Sequence, residues 1–206
     1  MEKTFIYHIT ALDNLASIVK CKGIYCKNQQ PQGCRNIAYE NIQARRSSTI
    51  VLLHPGGTLH DYVPFYFAPR SPMLYAIYKG LVNGYNDGQE RIIYIVSSVE
   101  KIEECGLKYV FTDGHAVMML TDFYNNKTDL DKIDWEIMNS RYWNDTAEDG
   151  DRKRRRQAEF LLHQFLPVTA ILGIGVYDIA VKNEVEEELS KNGAPTPVKV
   201  FQDWYY

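Results

Sequence analysis

Three groups of residues in this sequence could do chemistry. His8-Ile9-Thr10 stands at the end of a short strand-like run, and the two-residue period of a strand puts His8 and Thr10 on one face. A histidine in such a place commonly serves as a structural donor. Beside a helix N-terminus it also suits the ribose or phosphate of a nucleotide. Glu159 follows the basic run Arg152 to Arg156, Gln157 and Ala158, and it opens an apolar stretch. A carboxylate at the edge of a buried strand needs a partner or a reaction to serve; a salt bridge to Arg155 or Arg156 is the plain alternative to catalysis. The third group lies in Val63-Pro-Phe-Tyr-Phe-Ala-Pro-Arg70-Ser71-Pro-Met-Leu-Tyr75. There an aromatic strand delivers an arginine to a helix N-terminus, where guanidinium and backbone N–H groups can share a phosphate.

More familiar signatures are missing. Gly173-Ile-Gly175 lacks the third glycine of a dinucleotide fingerprint and sits late in a strand-like run, so it reads as packing. There is no phosphate-loop lysine and no G-x-S-x-G, which leaves His54-Pro-Gly-Gly57 without a nucleophile elbow to serve as an oxyanion loop. The spacings among Cys21, Cys26 and Cys34 fit no usual zinc pattern, and His60-Asp61 adds only a weak ligand pair. No metal is expected.

The elements that must position these groups alternate unevenly. Residues 5–9 read as a strand, with Thr10 capping a helix from Ala11 whose apolar stripe is Leu12, Leu15, Ile18 and Val19 and which stops at Gly23. Residues 28–60 are polar and turn-rich around a helical candidate at 37–46. Strands are predicted at 62–68, 91–97 and 109–112, and Ser71 caps a helix through Tyr78 with Pro72 at its first position. The Asp- and Asn-rich stretch 122–151 reads as a long, partly mobile loop with a short helix around Trp135. Two apolar runs, 160–165 and 169–176, flank Pro167; both favour strands, although the first also fits a helix. An acidic amphipathic helix over 178–191 and a strand at 198–201 follow. This irregular mixture implies an α+β class, not a regularly alternating parallel sheet.

Composition narrows the setting. A chain of 206 residues, 45% apolar and 24% charged, suits one globular domain and excludes wholesale disorder. The longest apolar stretch, 168–176, is about half of the ~20 residues a bilayer crossing needs. The N-terminus lacks the pattern of a signal peptide, and four cysteines do not make a disulfide scaffold. A cytoplasmic location with reduced thiols and no membrane partner is therefore expected. Net charge is only −3, but the first 80 residues carry +5 and residues 81–150 carry −8. With fifteen tyrosines and three tryptophans, the basic run fits either a solvated helix end or a phosphate-binding, base-stacking surface.

Longer strings point further. His8-x-Thr-x4-Leu15-x2-Ile18-x4-Gly23, NIQARR at 41–46, VPFYFAPRSPMLY at 63–75, FTDGHA at 111–116 and RRRQAEFL at 154–161 together resemble DarT-type DNA ADP-ribosyltransferases. These are the toxins of DarT–DarG toxin–antitoxin systems. The likeness runs from His8 to the final Asp203-Trp-Tyr-Tyr206. It implies an ADP-ribosyltransferase-like fold, a split central β-sheet core with flanking helices, in a single domain over 1–206 whose segment 115–159 is a lid over NAD. NAD would be the ADP-ribose donor, without a metal.

The resemblance also assigns residues. Glu159, at the start of a strand, would be the catalytic glutamate, holding the ribose 2′-OH and stabilising an oxocarbenium-like transition state. His8, Ile9, Thr10, Asn14 and Gly23 would hold NAD. Arg46, in preference to its neighbour Arg45, would match the family's essential arginine, binding NAD phosphate and stabilising a deprotonated acceptor base. The acceptor would be N3 of thymine in single-stranded DNA, within a short sequence motif. Arg70, Ser71, Pro72, Met73, Leu74 and Tyr75 would contact DNA beside it, and His115 would sit near the reacting base. Tyr142 and Trp143 would stack on bases, while Asn144, Asp145, Thr146, Ala147, Lys153, Arg154, Arg155, Arg156 and Gln157 would hold the backbone. The implied protein partner is a DarG-type macrodomain antitoxin. Two other readings remain on the residues: the same fold acting on another base, RNA or water, and a non-catalytic single-stranded nucleic-acid-binding protein. Glu159 and His8 argue against the second, because a pure binder has no use for an acid inside its phosphate patch.

Overall fold

A computed structural model describes residues 3–193 and 196–206. Its strands are β1 (Phe5–Ala11), β2 (Gly23–Tyr25), β3 (Tyr62–Tyr66), β4 (Ile92–Ser98), β5 (Tyr109–Thr112), β6 (Phe123–Tyr124), β7 (Glu159–His163), β8 (Phe165–Pro167), β9 (Gly173–Val176) and β10 (Val198–Val200). The helices are α1 (Leu15–Lys20), α2 (Glu40–Ser48), α3 (Pro72–Tyr78), α4 (Val99–Glu104), α5 (Trp135–Asn139), α6 (Arg152–Arg155) and α7 (Ile179–Lys191). The sheet order is β10-β9-β4-β1-β3-β7-β5-β6, with β2 and β8 forming a separate antiparallel pair.

The main sheet is split. β1 pairs with the wholly buried, β-branched β4 along its full length, from Phe5↔Ser98 to Ala11↔Ile92. With β3 it shares one partner pair, Tyr7↔Tyr66. Beyond that point a side chain replaces the ladder: His8 Nδ1 lies 2.7 Å from the Pro64 carbonyl oxygen. The N–H and C=O of a strand residue point to the same side. Pro64's missing donor therefore faces the gap, where no ladder bond is lost. The expectation of a split β-sheet core with flanking helices holds. On one face α1 and α7 bury Leu15, Ile18, Val181 and Val185 against Phe65, Ile95 and Phe160. On the other, α3 buries Leu74 and Ile77 beside Tyr94.

Local signals explain several boundaries. Ser71 Oγ accepts from Leu74 N at 3.2 Å with Pro72 next to it, and Asp178 caps α7 through Val181 N at 2.9 Å. Thr10 does not cap a helix. The strand continues through Ala11, a single 3₁₀ turn (Leu12–Asn14) follows, and Thr10 Oγ1 instead accepts from Asn14 Nδ2 at 2.9 Å. Of the run 160–165, residues 160–163 belong to a strand that begins at Glu159, and after a break at Gln164 (φ 63°) Phe165 opens β8; the run 169–176 holds a strand only from Gly173, because Val168–Ala170 makes a 3₁₀ turn. Gly173 and Gly175 are packing residues, as expected: a Cβ on Gly175 would come within 2.6 Å of the Trp204 ring. The stretch 122–151 is less loop-like than its composition suggests, since it contains β6, a helical turn at Lys127–Lys132 and α5.

β7 is anchored by Phe160, which is fully buried, stacked on Tyr109 at 4.6 Å and set edge-on to Phe65 and Phe67. Phe160→Ala is expected to cost about 3–5 kcal/mol, as for other buried phenylalanines. Denaturant unfolding measures it; a loss under 1 kcal/mol would mean that β7 is held mainly by its hydrogen bonds.

Candidate active site

Glu159 is 3% exposed, which a carboxylate tolerates only when its charge is compensated. Its Oε2 accepts from Arg46 Nη1 at 2.7 Å. Its Oε1 accepts from the Ala116 N–H at 3.1 Å and lies 3.1 Å from His115 Nδ1. An ionised carboxylate only accepts, so that imidazole nitrogen carries the proton. The backbone N–H of Glu159 donates to Thr112 Oγ1 at 3.1 Å, which fixes the start of β7 against β5. Burial pushes the Glu159 carboxyl upward, but the Arg46 guanidinium and His115 outweigh it and hold the pKa down at about 2.

Arg46 comes from α2, and the helix decides which arginine of the pair is used. Successive helical residues point about 100° apart. Arg46 is the one buried side chain of α2, whereas Arg45 is exposed and donates to the Val117 carbonyl at 2.8 Å, away from the cavity. The alternative of Arg155 or Arg156 as the partner of Glu159 is not what the fold produces. Arg46 Nη2 is buried and has no hydrogen-bond partner among the described residues.

The ion pair lies at one side of a cavity of about 440 Å³ at the split in the sheet, a volume in the range of ligand pockets. His8, Ile9, Thr10, Asn14 and Gly23 line it with Tyr66, Met73, His115 and Gln157. Burial pushes the His8 pKa below its ordinary value, and the Pro64 carbonyl can only accept. His8 is thus a neutral imidazole with Nδ1 protonated and Nε2 left as an acceptor. Asn14 lines the cavity with both amide donors engaged, to Thr10 Oγ1 at 2.9 Å and the Arg35 carbonyl at 3.0 Å, while its Oδ1 accepts from the Arg35 N–H at 2.7 Å. Gly23 is required by packing, since a Cβ there would sit 2.2 Å from the Leu166 carbonyl oxygen across the β2–β8 pair.

A profile described as "ssDNA thymidine ADP-ribosyltransferase, DarT" matches residues 7–206. A "DNA ADP-ribosyl transferase" of Thermus sp. (strain 2.9) is 44% identical over 207 residues, covering 100% of this chain and 97% of that protein. The chain belongs to the DarT family. The solved structure of Thermus sp. 2.9 DarT in complex with ADP-ribosylated ssDNA superposes with a TM-score of 0.94 at 42% identity, over 98% of this chain and 96% of that one. Its complex with NAD+ superposes at 0.91 and 40% identity, over 100% and 99%. A "DNA ADP-ribosyl transferase-DNA ADP-ribosyl glycohydrolase fusion protein" of Thermosipho africanus is 29% identical over 92% of this chain, which spans 47% of the fusion. The chain is an NAD-dependent DNA ADP-ribosyltransferase.

Within this DarT fold several side chains expected at the DNA are committed elsewhere. Ser71 is 2% exposed and caps α3, and Leu74 is fully buried in the core. The Arg70 guanidinium donates to the Tyr205 carbonyl and lies 4.3 Å from the Tyr206 ring centroid. Trp143 is 9% exposed and donates through Nε1 to Tyr206 Oη at 3.0 Å, so it is no free stacking platform. The basic run is turned inward. Arg154 pairs with Asp113 and Asp151, Arg155 with Asp134 and Asp149, and buried Arg156 donates to the carbonyls of Met138 and Pro69. Gln157 donates to the Lys153 carbonyl. Pro72 and Met73 line the cavity, whereas Tyr75, Tyr142, Asn144, Asp145, Thr146, Ala147 and Lys153 are exposed. Sequence reasoning missed Tyr66 and the wall formed by residues 27–39. The alternation of Tyr62, Pro64 and Tyr66 along β3 was the available signal for Tyr66; nothing marked the wall.

With a native pKa of about 2 against ~4.3 in an unfolded chain, the Glu159 contribution to stability is complete above about pH 4.5 and is lost as the pH falls toward 2. In Arg46→Met, burial is left with less opposition, so carboxyl-selective NMR should find Glu159 titrating well above its wild-type position; an unmoved titration would exclude Arg46 as the main stabiliser of the charge. Arg155→Ala should raise amide exchange across 134–151 and leave the salt slope of DNA binding nearly unchanged. A slope flatter by ~0.7 would instead restore Arg155 as a phosphate contact.

Proposed function

We propose that the cavity binds NAD with its nicotinamide ribose at Glu159 and its pyrophosphate beside Arg46, and that ADP-ribose passes from there to N3 of thymine in single-stranded DNA. The observation that carries this reading is Arg46 Nη2, a buried donor without a partner beside a carboxylate whose charge is already compensated. Leaving such a group unpaired is costly, and a ligand phosphate oxygen removes the cost. Three of the roughly four acceptor directions of the Glu159 carboxylate are occupied by Arg46, His115 and Ala116, which leaves one for the ribose 2′-OH.

Each residue then has a task. As the bond from the ribose C1′ to nicotinamide breaks, nicotinamide leaves with the bonding pair and positive charge develops on the ribose. Glu159 is already ionised and oriented to stabilise that charge. His8 and Thr10 hold the adenosine or nicotinamide part of NAD. The thymine gives up its N3 proton to solvent water, the Arg46 cation stabilises the deprotonated base, and N3 then forms the new bond to C1′. N3 is hydrogen-bonded in a duplex, so the base must be unpaired. Met73, Tyr75, His115 and exposed Tyr142 border the acceptor side, and residues 115–159 act as the lid of a single catalytic domain. The fusion of transferase and glycohydrolase in the Thermosipho relative supports a toxin role, in the cytoplasm, opposed by a DarG-type macrodomain that removes the modification.

The test is incubation with labelled NAD and single-stranded oligonucleotides, each lacking one base, with duplexes and RNA in parallel. Only single-stranded DNA containing thymine should be labelled, and Glu159→Gln should lower the rate by at least ~10²–10³-fold while NAD still binds. Equal labelling of thymine-free strands, RNA or duplexes would overturn the acceptor assignment, and release of free ADP-ribose without DNA labelling would make the protein a glycohydrolase.

A further inference from the structure

The cavity wall between residues 31 and 38 forms no helix or strand, and besides the buried side chain of Ile37 and a Cys34–Ser17 contact it has little fastening of its own. Among the described residues, its backbone makes no hydrogen bond to the backbone of any sheet strand or helix. Asn36 and Ala38 bond only to each other. The non-local backbone bonds of this stretch all converge on Arg35, whose N–H donates to Asn14 Oδ1 at 2.7 Å and whose carbonyl accepts from Asn14 Nδ2 at 3.0 Å. The Arg35 side chain reaches outward, pairs with both Asp13 and Asp87 at 2.5 Å and lies 4.9 Å from the centroid of the Tyr85 ring. Asp13 and Asn14 are consecutive in the 3₁₀ turn after β1. One grips the guanidinium and the other the main chain of the same residue, while Asp87 holds it from the loop before β4.

The geometry points to Arg35 as a positioning residue that latches this wall over the donor-binding cavity, so that NAD affinity depends on two carboxylates that need not touch NAD. Asn14 supports it from inside: Thr10 orients the Asn14 amide, and the amide sets the Arg35 backbone. The latch has a physical rationale in the wall's composition, since Pro31, Gly33 and Asn36 do not build regular structure and leave a loop whose order must come from a side chain. The inference rests on the reading that this cavity takes NAD.

Amide exchange and NAD titration without DNA test it together on Arg35→Gln, Arg35→Lys and Asp87→Asn. Arg35→Gln should accelerate exchange across 31–38, weaken NAD binding about 10-fold and raise the KM for NAD with kcat within about twofold, as expected from losing two partly exposed ion pairs. Arg35→Lys, which keeps the charge, should recover most of the affinity, and Asp87→Asn should show a partial loss by itself while adding nothing to the loss in Arg35→Gln. Faster exchange with unchanged NAD affinity would overturn the proposal, as would an equal drop in kcat or unaltered exchange in every variant. Failure of the wild-type protein to bind NAD would instead strike the reading of the cavity itself.

Discussion

A carboxylate out of water has to be compensated, and in this protein that requirement organises everything near the reaction centre. Glu159 opens β7 with 3% exposure and is matched by Arg46, which lies 113 residues earlier in the chain. The Coulomb attraction gains from the low dielectric that makes the isolated charge untenable. Three structures are tied to that one group: α2, which supplies the guanidinium; the turn at His115 and Ala116, which supplies an imidazole and a backbone N–H; and Thr112 on β5, which accepts from the Glu159 main chain. The outcome is a fixed negative charge with a depressed pKa, preorganised before any substrate arrives. Stabilising a cationic transition state without reorganisation needs that property.

The split in the sheet supplies the room. Had β1 and β3 paired along their length, the face now lined by His8, Thr10 and Tyr66 would be closed by ordinary ladder geometry. Pro64 withholds the donor that a ladder would require, and the His8 imidazole takes the Pro64 carbonyl instead. The result is a crevice between two half-sheets, with no glycine-rich turn at a helix N-terminus. The glycines of Gly173-Ile-Gly175 serve only to admit Trp204 and its neighbours.

The inward-facing basic run shows how composition can mislead. Five consecutive cations look like a phosphate track, yet four of them hold the protein's own carbonyls and the acidic stretch that precedes them. Four acids of the negatively charged stretch 81–150, Asp113, Asp134, Asp145 and Asp149, pair with that run. Arg156, which reaches both Met138 and Pro69, joins α5 to the turn that starts α3. Burying it without a carboxylate is tolerated because carbonyl oxygens satisfy most of its donors, and its pKa is pushed below the ordinary arginine value.

What could be read in advance was whatever depends on short-range pattern. Alternation and β-branching located β4 and β5, the Ser71-Pro72 cap located α3, an acidic amphipathic pattern located α7, and long motif strings identified the family and singled out Glu159, His8 and the Arg45-Arg46 pair. The strand continuing through Thr10 escaped, because a threonine before an apolar 3.6-residue pattern reads locally as a cap while pairing with β4 overrides it. Which arginine faces Glu159, whether the basic run points inward or outward, and what closes the wall at Arg35 were decided only by the tertiary structure. Those questions turn on the direction of a side chain and on partners tens to more than a hundred residues away, and a linear string carries neither. The sequence determined that a buried acid, a histidine and an arginine pair were present; the packing of α2 against a split sheet determined that they meet.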